Sequence, residues 1–298
     1  MNSRTVVITG ASSGFGRGTA LRLAAQGYNL VLSARRGHLL EQLAHECDNA
    51  IAVTTDVADP HDVDKLAKAA LAKFNRIDVW INNAGVAAIG RFEDIPLRDH
   101  QRVLQTNLGG TINGSHVAMR HFRRMQSGTL INIASMLGRT PSPYYATYCA
   151  TKYGVLGLSE SLRQELRANG ARDIQVCTIL PMAADTPFYE HAANYTGHSL
   201  RPYPITDAEQ VIDAIVDTVE IPRDEVTVGL PATAAVLSER LAPWLTRSVT
   251  GVMAHQLQMH DAPAASHAKG NLHAPLEIGT GVHGVIRTRM AAEQRAPQ

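Results

Sequence analysis

The 298-residue chain has little cysteine and almost no net charge. Its three cysteines, Cys47, Cys149 and Cys177, are far apart and form neither a zinc-binding spacing nor a disulfide framework, which is typical of a reducing cytoplasm. A formal net charge of +1 provides no field that would attract nucleic acid or an anionic membrane. We therefore expect no nucleic-acid partner and no disulfide-stapled secreted domain.

Long apolar runs are also missing, and we expect no N-terminal leader. No apolar stretch reaches the roughly 20 residues of a membrane helix, so we expect no membrane span. Met1 to Arg4 lead directly into a strand-like segment, which leaves no room for a signal peptide and predicts a cytoplasmic protein. Instead the chain has 45% hydrophobic and 18% charged residues, enough to bury a substantial core.

Short runs rich in Val, Ile and Leu alternate with helical stretches over residues 1–230. The runs lack polar alternation, which is typical of strands buried on both faces of a parallel sheet. They are Thr5–Thr9, Leu30–Ser33, Ile51–Thr54, Val79–Ile81, Leu130–Ala134, Ile174–Leu180 and Val226–Val228. The helical stretches include Gly16–Gln26, Asp62–Phe74, Arg98–Met125, Tyr145–Ala168 and Asp207–Val219. The pattern predicts an α/β fold, a Rossmann-like doubly wound parallel sheet of about seven strands with helices on both faces.

We predict a single nucleotide-binding catalytic domain over residues 1–230 and a C-terminal extension over residues 231–298. In the extension, Leu241–Leu257 fits one or two amphipathic helices, and Asp261–Gly284 fits an extended segment or loop. The extension either packs on the domain or a partner subunit, which we favour, or lies on a membrane. Its histidines do not share a helical face, and we predict no metal site.

A glycine-rich turn follows the first strand-like run, with the sequence Gly10-Ala11-Ser12-Ser13-Gly14-Phe15-Gly16. Such a turn lets backbone N–H groups and a helix N-terminus meet a phosphate, because a Cβ would block the approach. The spacing is G-x-x-x-G-x-G, which is neither the usual G-x-G-x-x-G nor a P-loop. The alternative is a tight turn of small residues that binds nothing.

The end of the second strand-like run indicates which dinucleotide binds. Enzymes that use NAD usually place an acid there, whereas this chain has Ser33-Ala34-Arg35-Arg36 and no acid before Glu41. An acid would repel a 2′-phosphate, and an arginine can grip one with two hydrogen bonds. We therefore favour NADP(H) over NAD(H), with Arg35 as the contact. The alternative is that both arginines are simply solvated.

Tyr148 and Lys152 lie four residues apart in a helix-like segment, so they share one helical face. A free tyrosine titrates near pH ~10, and a neighbouring cation lowers that pKa toward the range of a useful acid or base. Ser135 ends the fifth strand-like run, at the sheet edge where ligands bind in such folds. Its hydroxyl can donate to a carbonyl oxygen as charge grows there, or simply cap a turn.

These motifs, in this order, resemble the short-chain dehydrogenase/reductase family over roughly residues 4–230. The residues that carry the resemblance are Gly10–Gly16, Asp56, Asn82-Asn83-Ala84-Gly85, Asn107, Ser135, Tyr148 and Lys152. The resemblance implies hydride transfer between NADP(H) and a small-molecule carbonyl or secondary alcohol, with Tyr148 as general acid/base. It also implies that Lys152 holds the nicotinamide ribose. The alternative is an NADP(H)-binding redox sensor or regulatory protein without turnover.

The same resemblance implies particular cofactor and relay residues. Asp56, followed by Val57, would hydrogen-bond the adenine, or Asp56 would cap the next helix. The turn Asn82-Asn83-Ala84-Gly85 would lie beside the adenine ribose and steady the central sheet, although Asn side chains also stabilise turns without a ligand. Asn107 would hold a water for proton relay, or fill an irregularity in its helix.

After the sixth strand-like run, Pro181 would line the cofactor site and Thr186 would contact the nicotinamide carboxamide. Met182 departs from the family pattern, which commonly has a glycine there. We predict a lid over Pro187–Pro204, whose aromatic residues suit an apolar or ring-bearing carbonyl compound or simply pack the lid. The family also implies pairing through the long helices, as a homodimer or homotetramer.

Overall fold

The computed structural model of the protein describes residues 4–229, 238 and 242–295. Its central sheet has seven strands, all paired in parallel. They are β1 (Thr5–Thr9), β2 (Asn29–Ala34), β3 (Ala50–Thr54), β4 (Val79–Asn82), β5 (Gly128–Ile133), β6 (Ile174–Pro181) and β7 (Glu225–Val228). The order across the sheet is β7-β6-β5-β4-β1-β2-β3. The predicted doubly wound fold is confirmed, and its topological switch point lies between β1 and β4.

Helices cover both faces of the sheet. One face carries α1 (Gly14–Ala25), α2 (Gly37–Glu46) and α7 (Ala208–Glu220), and the other carries α3 (Pro60–Phe74), α5 (Gly110–Met125) and α6 (Ala146–Ala168). Side chains of a strand alternate between faces, so Val6 and Ile8 pack in the first apolar layer and Val7 in the second. The strands are therefore apolar at consecutive positions, as predicted.

Two helical features differ from the prediction. Helix α2 was not anticipated, although Leu39, Leu40 and Leu43 give it a buried apolar stripe. The single helix expected over Arg98–Met125 is α4 (Leu97–Leu104) followed by a π-helical turn at Gln105–Gly109 and then α5. Single π turns inside helices often lie at functional sites, because they redirect a side chain.

The described part of the C-terminal extension returns to the domain. It contains α8 (Pro243–Met259), which overlaps the predicted helix, and α9 (Ile286–Arg295), which was not predicted. Leu241 lies outside the described residues. Residues 270–284, which we call the strap, cross the carboxyl end of the sheet without regular secondary structure. Within the residues described, the structure has no helix with the length and apolar character to cross a membrane.

A buried polar network fixes the strands below the site. Asn82, at the end of β4, accepts a hydrogen bond from Trp80 Nε1 at 2.8 Å and donates to Asn132 Oδ1 at 2.9 Å. Asn132 in turn donates to Ser159 Oγ on α6 at 3.0 Å. Because buried polar groups lose free energy when unpaired, this chain of bonds sets the position of α6 relative to β4 and β5.

Candidate active site

The glycine-rich turn is held against the turn after β4. Thr9 Oγ1 accepts the backbone N–H groups of Asn83 at 3.0 Å and Ala84 at 3.2 Å. The Asn83 amide donates to the carbonyls of Thr9 at 2.9 Å and Gly10 at 3.2 Å. Gly10 has a φ of +68°, a left-handed conformation that favours glycine. The two turns therefore form one rigid floor beside the switch point.

Helix α1 presents its N-terminus above this floor. Its N-cap residue, Ser13, makes no side-chain capping hydrogen bond. The first N–H groups of a helix have no partner within the helix, which makes such an end an anion site. Here the Gly14 N–H donates to the carbonyl of Gly281 in the strap at 2.9 Å.

The two arginines after β2 are not solvated, and they differ in what they contact. Arg35 is half-buried and donates to the strap carbonyls of Asn271 at 2.5 Å and Leu272 at 3.0 Å. Arg36 is buried, and its five N–H donors all have acceptors. These acceptors are the hydroxyls of Ser12 and Ser13 and the carbonyls of Leu276 and Ile278.

Among the described residues, no carboxylate lies within ion-pair distance of Arg35 or Arg36, whose partners are neutral hydroxyls and carbonyls. Burial lowers the pKa of both guanidinium groups from their ordinary value. Two such cations beside a helix N-terminus fit a phosphate-bearing dinucleotide, since an anion there would relieve the cost of burying them. The residues present therefore match the cofactor that the fold implies.

Asp56 contacts Arg102, a partner that the sequence did not predict. Its carboxylate forms an ion pair with Arg102 of α4 and accepts the Ala58 N–H at 3.1 Å. The cap of α3 is Asp59, which accepts the His61 N–H at 2.8 Å, so the alternative helix-cap role of Asp56 is wrong. An adenine contact from Asp56 stays a prediction.

Tyr148, Lys152 and Ser135 meet at the end of β5. Lys152 is 5% exposed, and its Nζ donates to the Ile133 carbonyl at 2.8 Å and lies 5.5 Å from the centroid of the Tyr148 ring. The Ser135 hydroxyl interacts with the Tyr148 side chain and also accepts the Leu137 N–H at 3.1 Å. Ser135 is therefore both a turn cap and a neighbour of the phenol, so its two alternative roles coexist.

The pKa of Tyr148 moves opposite to the sequence-based expectation. Burial raises it above the ordinary value, and the hydrogen bond with Ser135 offsets part of this rise. Burial also lowers the pKa of Lys152 to about 8, because a desolvated ammonium is unfavourable. The expected lowering of the tyrosine pKa by the lysine charge is thus wrong in this structure, where desolvation acts on both groups. A phenol held protonated at neutral pH is a proton donor.

A cavity of about 420 Å³ connects these features. Two of the predicted site residues, Gly16 and Asn107, do not line it, and the others do. Gly16 packs inside the turn, where a Cβ would lie 2.4 Å from the Gly10 carbonyl oxygen. Asn107 is buried in the π turn, where its amide bonds the Val86 N–H at 2.8 Å and the Val86 carbonyl at 2.9 Å. Its side chain therefore anchors the turn after β4, and a relay role stays a prediction.

The outer half of the cavity is apolar and was only partly anticipated. Phe188 and Tyr189 of the predicted lid lie in it, and Phe188 packs on Tyr148 with ring centroids 5.7 Å apart and planes at 60°. Helix α8 closes this half with Met253 and Leu257, whose roles sequence reasoning missed. Met182, the residue in place of the family's usual glycine, also lines the cavity.

The strap contacts had no signal in the sequence. They use main-chain carbonyls, which every residue carries, so no side-chain motif could reveal them. The described residues contain no cluster of three or more histidine, cysteine or acidic side chains able to hold a metal ion. The three cysteines are unbridged and buried.

Parallel sheet, phosphate-binding turn and tyrosine–lysine pair together define a dinucleotide-dependent oxidoreductase fold. Comparison with known proteins is consistent with this class. The profile of the short chain dehydrogenase family matches residues 4–195. The chain belongs to the short-chain dehydrogenase/reductase family.

Relatives extend the comparison beyond the core. An uncharacterized oxidoreductase of Bacillus subtilis, YxnA, is 32% identical over 290 residues, 95% of this chain and 80% of the relative. The 3-oxoacyl-[acyl-carrier-protein] reductase FabG of Staphylococcus aureus is 32% identical over 173 residues, 56% of this chain and 70% of the relative. The first of these alignments is long enough to include most of the C-terminal extension.

Solved structures agree with the fold. An alcohol dehydrogenase from Thermococcus sibiricus, complexed with 5-hydroxy-NADP, has a TM-score of 0.66 and 25% identity, covering 76% of this chain and 97% of that one. A short-chain dehydrogenase/reductase from Burkholderia phymatum in complex with NAD has a TM-score of 0.73 at 24% identity, covering 83% and 96%. Such neighbours bind nicotinamide cofactors of both kinds.

Proposed function

We propose that the protein is an NADP(H)-dependent reductase or dehydrogenase that acts on neutral, largely apolar carbonyl compounds and the matching secondary alcohols. The observation that carries the proposal is the meeting of Tyr148, Ser135 and Lys152 at the inner end of a cavity. That cavity runs from the phosphate-binding turn to an aromatic wall. The names of relatives, a 3-oxoacyl reductase and an alcohol dehydrogenase, support chemistry at a carbonyl or alcohol carbon.

The cofactor would bind to residues that line the inner part of the cavity. The N-terminus of α1 and the Gly10–Gly16 turn would hold the pyrophosphate, Arg35 would contact the 2′-phosphate, and Lys152 would hold the nicotinamide ribose. When bound, the dinucleotide supplies or accepts the hydride. Arg35 suits the phosphate better than Arg36, because two of its five N–H donors are engaged whereas Arg36 has none to spare.

The chain's own residues handle the proton. Tyr148 donates its phenolic proton to the substrate oxygen in the reductive direction, since burial keeps the phenol protonated. Ser135 donates a hydrogen bond to the same oxygen as negative charge develops there. The buried Lys152 ammonium, 5.5 Å from the centroid of the Tyr148 ring, stabilises the phenolate that remains after proton transfer. The attraction between these opposite charges is stronger where water is excluded, because the effective dielectric constant is lower.

The substrate class follows from the outer half of the cavity. Its lining is mainly aromatic and aliphatic, and Arg201, a cationic side chain there, forms an ion pair with Glu293 of α9 at 3.0 Å. A neutral apolar compound would lose little free energy on desolvation there, whereas a carboxylate would find Arg201 already engaged by Glu293.

A panel of neutral aryl and alkyl ketones and matched 2-oxo acids, followed by NADPH absorbance, tests this function. We expect turnover of neutral ketones with kcat/KM about tenfold or more above that of the oxo acids. NADPH binding without oxidation of NADPH by any compound would favour the alternative of a sensor without turnover. A clear preference for oxo acids would overturn the substrate class.

We also propose a homodimer or homotetramer built on α4, α5 and α6. Leu97 is 71% exposed, Ile112 45% and Met125 52%, so the outer face of these helices carries apolar side chains that a partner would cover. Light scattering on the purified protein measures the assembly. The expected cytoplasmic location stays a prediction.

A further inference from the structure

We propose that the strap, residues 270–284, is a lid that occupies the phosphate end of the cofactor cleft in the free protein, must open before a dinucleotide binds, and so limits how fast the dinucleotide associates. This inference rests on the proposed binding of a dinucleotide at the Gly10–Gly16 turn. It goes beyond that function because it concerns the rate at which the dinucleotide binds and the segment that controls this rate.

The strap occupies the donors that a dinucleotide would need. Its carbonyl oxygens accept hydrogen bonds from the Gly14 N–H, from Arg35 and from Arg36. Asn271 and Leu276 of the strap also line the cavity. A phosphate oxygen is charged and makes stronger hydrogen bonds with a guanidinium than a carbonyl does, so a dinucleotide can displace the strap from these donors.

The strap is held mainly by hydrogen bonds rather than by buried side chains. Besides the contacts above, the Leu272 carbonyl accepts from Arg102 Nε at 2.9 Å, the Ile278 carbonyl contacts His191 Nε2 at 2.9 Å, and His273 pairs with the buried Asp99 at 2.8 Å. The strap has no helix or strand, and most of its side chains are exposed, with Leu272 as its fully buried anchor. A further ion pair, from Glu277 to His38, is 3.0 Å long but more than half exposed at both ends, so it contributes little. Opening breaks these hydrogen bonds but exposes little apolar surface, so the strap opens as a local unit while the sheet stays folded.

Both ends of the strap are anchored beside the predicted substrate lid, Pro187–Pro204. At one end Gly270 has a φ of +57°, and the Asn271 N–H donates to the His191 carbonyl at 2.8 Å. At the other end the Gly284 N–H donates to the Asp185 carbonyl at 3.1 Å. Because both anchors are close to Phe188 and Thr186, opening of the strap would also free the substrate side of the cavity.

Arg36 is the residue that couples the strap to the phosphate-binding turn. One guanidinium bonds both serines of the turn and two strap carbonyls, so it joins the moving part to the fixed part. We assign it as a positioning residue for the closed lid and Arg35 as the phosphate contact. The two neighbouring arginines thus have separate tasks.

A matched pair of glycine substitutions tests the lid. A Cβ on Gly284 would lie 2.5 Å from the Thr186 carbonyl oxygen, whereas on Gly281 the nearest atom would be 3.7 Å away. Gly284→Ala therefore lifts the end of the strap, and Gly281→Ala leaves it seated with its carbonyl intact. The NADPH association rate constant, measured by stopped-flow fluorescence over a range of NADPH concentrations, should rise about tenfold or more in Gly284→Ala and stay at the wild-type value in Gly281→Ala.

Hydrogen exchange on the wild-type protein gives a second readout that needs no variant to fold. Amides of residues 270–284 should exchange at a rate that NADPH changes, while amides of the distant strand Glu225–Val228 should not respond. Equal NADPH association rates in both variants, or hydrogen exchange at residues 270–284 that NADPH leaves unchanged, would overturn the lid. If neither NADPH nor NADH binds to the wild-type protein, the proposed function fails instead, so the two failures are distinguishable.

Discussion

The buried Lys152 ammonium should make the protein less stable than a variant without that charge. Burial lowers the pKa of Lys152 from 10.5 to about 8, and each pKa unit corresponds to about 1.4 kcal/mol. Keeping the charged form buried at pH 7 therefore costs about 3 kcal/mol. Lys152→Met removes this cost and loses the hydrogen bond to the Ile133 carbonyl, which contributes about 1 kcal/mol.

The expected net gain in the free energy of unfolding is about 2 kcal/mol at pH 7 without cofactor, or roughly 4–8 °C in Tm for a domain of this size. The gain depends on pH with a definite sign. Below pH 8 the lysine is charged in both states and the cost is complete. As the pH rises from about 8 toward 10.5 the folded lysine loses its proton first, so wild-type stability recovers and the difference shrinks.

Urea denaturation of both proteins at pH 7 and pH 10 measures this difference. Lys65→Met is a matched control, because the Lys65 side chain is 72% exposed and its loss should change stability by no more than about 0.5 kcal/mol. A Lys152→Met protein no more stable than wild type at pH 7, or a gain that does not shrink at pH 10, would refute the reasoning. The variant should also lose activity, as expected if the lysine is retained for function at the expense of stability.

Three further predictions concern the cofactor, the core and the aromatic wall. Arg35→Asp should weaken NADPH binding by about 10- to 100-fold and NADH binding far less, because a charge-assisted contact with the 2′-phosphate is lost; equal losses in titrations of both cofactors would argue against that contact. Asn82→Ala should lower the free energy of unfolding by about 2–3 kcal/mol in urea denaturation, since it leaves Trp80 Nε1 and Asn132 Oδ1 without their hydrogen bonds to Asn82. The control Asn169→Ala, at an exposed position, should be nearly neutral, and equal effects of the two substitutions would contradict the network. Phe188→Ala should raise KM for apolar ketones more than it lowers NADPH affinity, and the reverse ordering in steady-state and binding measurements would place Phe188 on the cofactor side.

Much of the fold follows from local sequence, because each parallel strand is a short apolar run bounded by helical periodicity. All seven strands lie where the runs predict them, and the glycine-rich turn follows β1. Helix α2 was missed, although its apolar stripe is readable in retrospect. The break at Gln105–Gly109 depends on a tertiary contact of Asn107 with Val86, which no local pattern contains.

The site likewise has features that the sequence predicts and features that it does not. Residues proposed to act through side-chain chemistry, such as Tyr148, Ser135 and Arg35, were predicted from residue type and spacing, and the structure brings them to one cavity. The sign of the Tyr148 pKa change was not predictable, because it depends on desolvation that only the folded surroundings set. The strap was also invisible in the sequence, since backbone carbonyls have no residue signature.

The central claim is that Tyr148 is the proton donor of a carbonyl reductase. Tyr148→Phe keeps the ring that packs on Phe188 and removes the hydroxyl. With a ketone that the wild type reduces, we predict that kcat/KM falls by about 10²-fold or more, the contribution expected of a general acid. The Kd for NADPH, measured by fluorescence, should change by no more than about fivefold, which corresponds to a single hydrogen bond of about 1 kcal/mol. Full activity in this variant, with NADPH bound as tightly as before, would contradict the account.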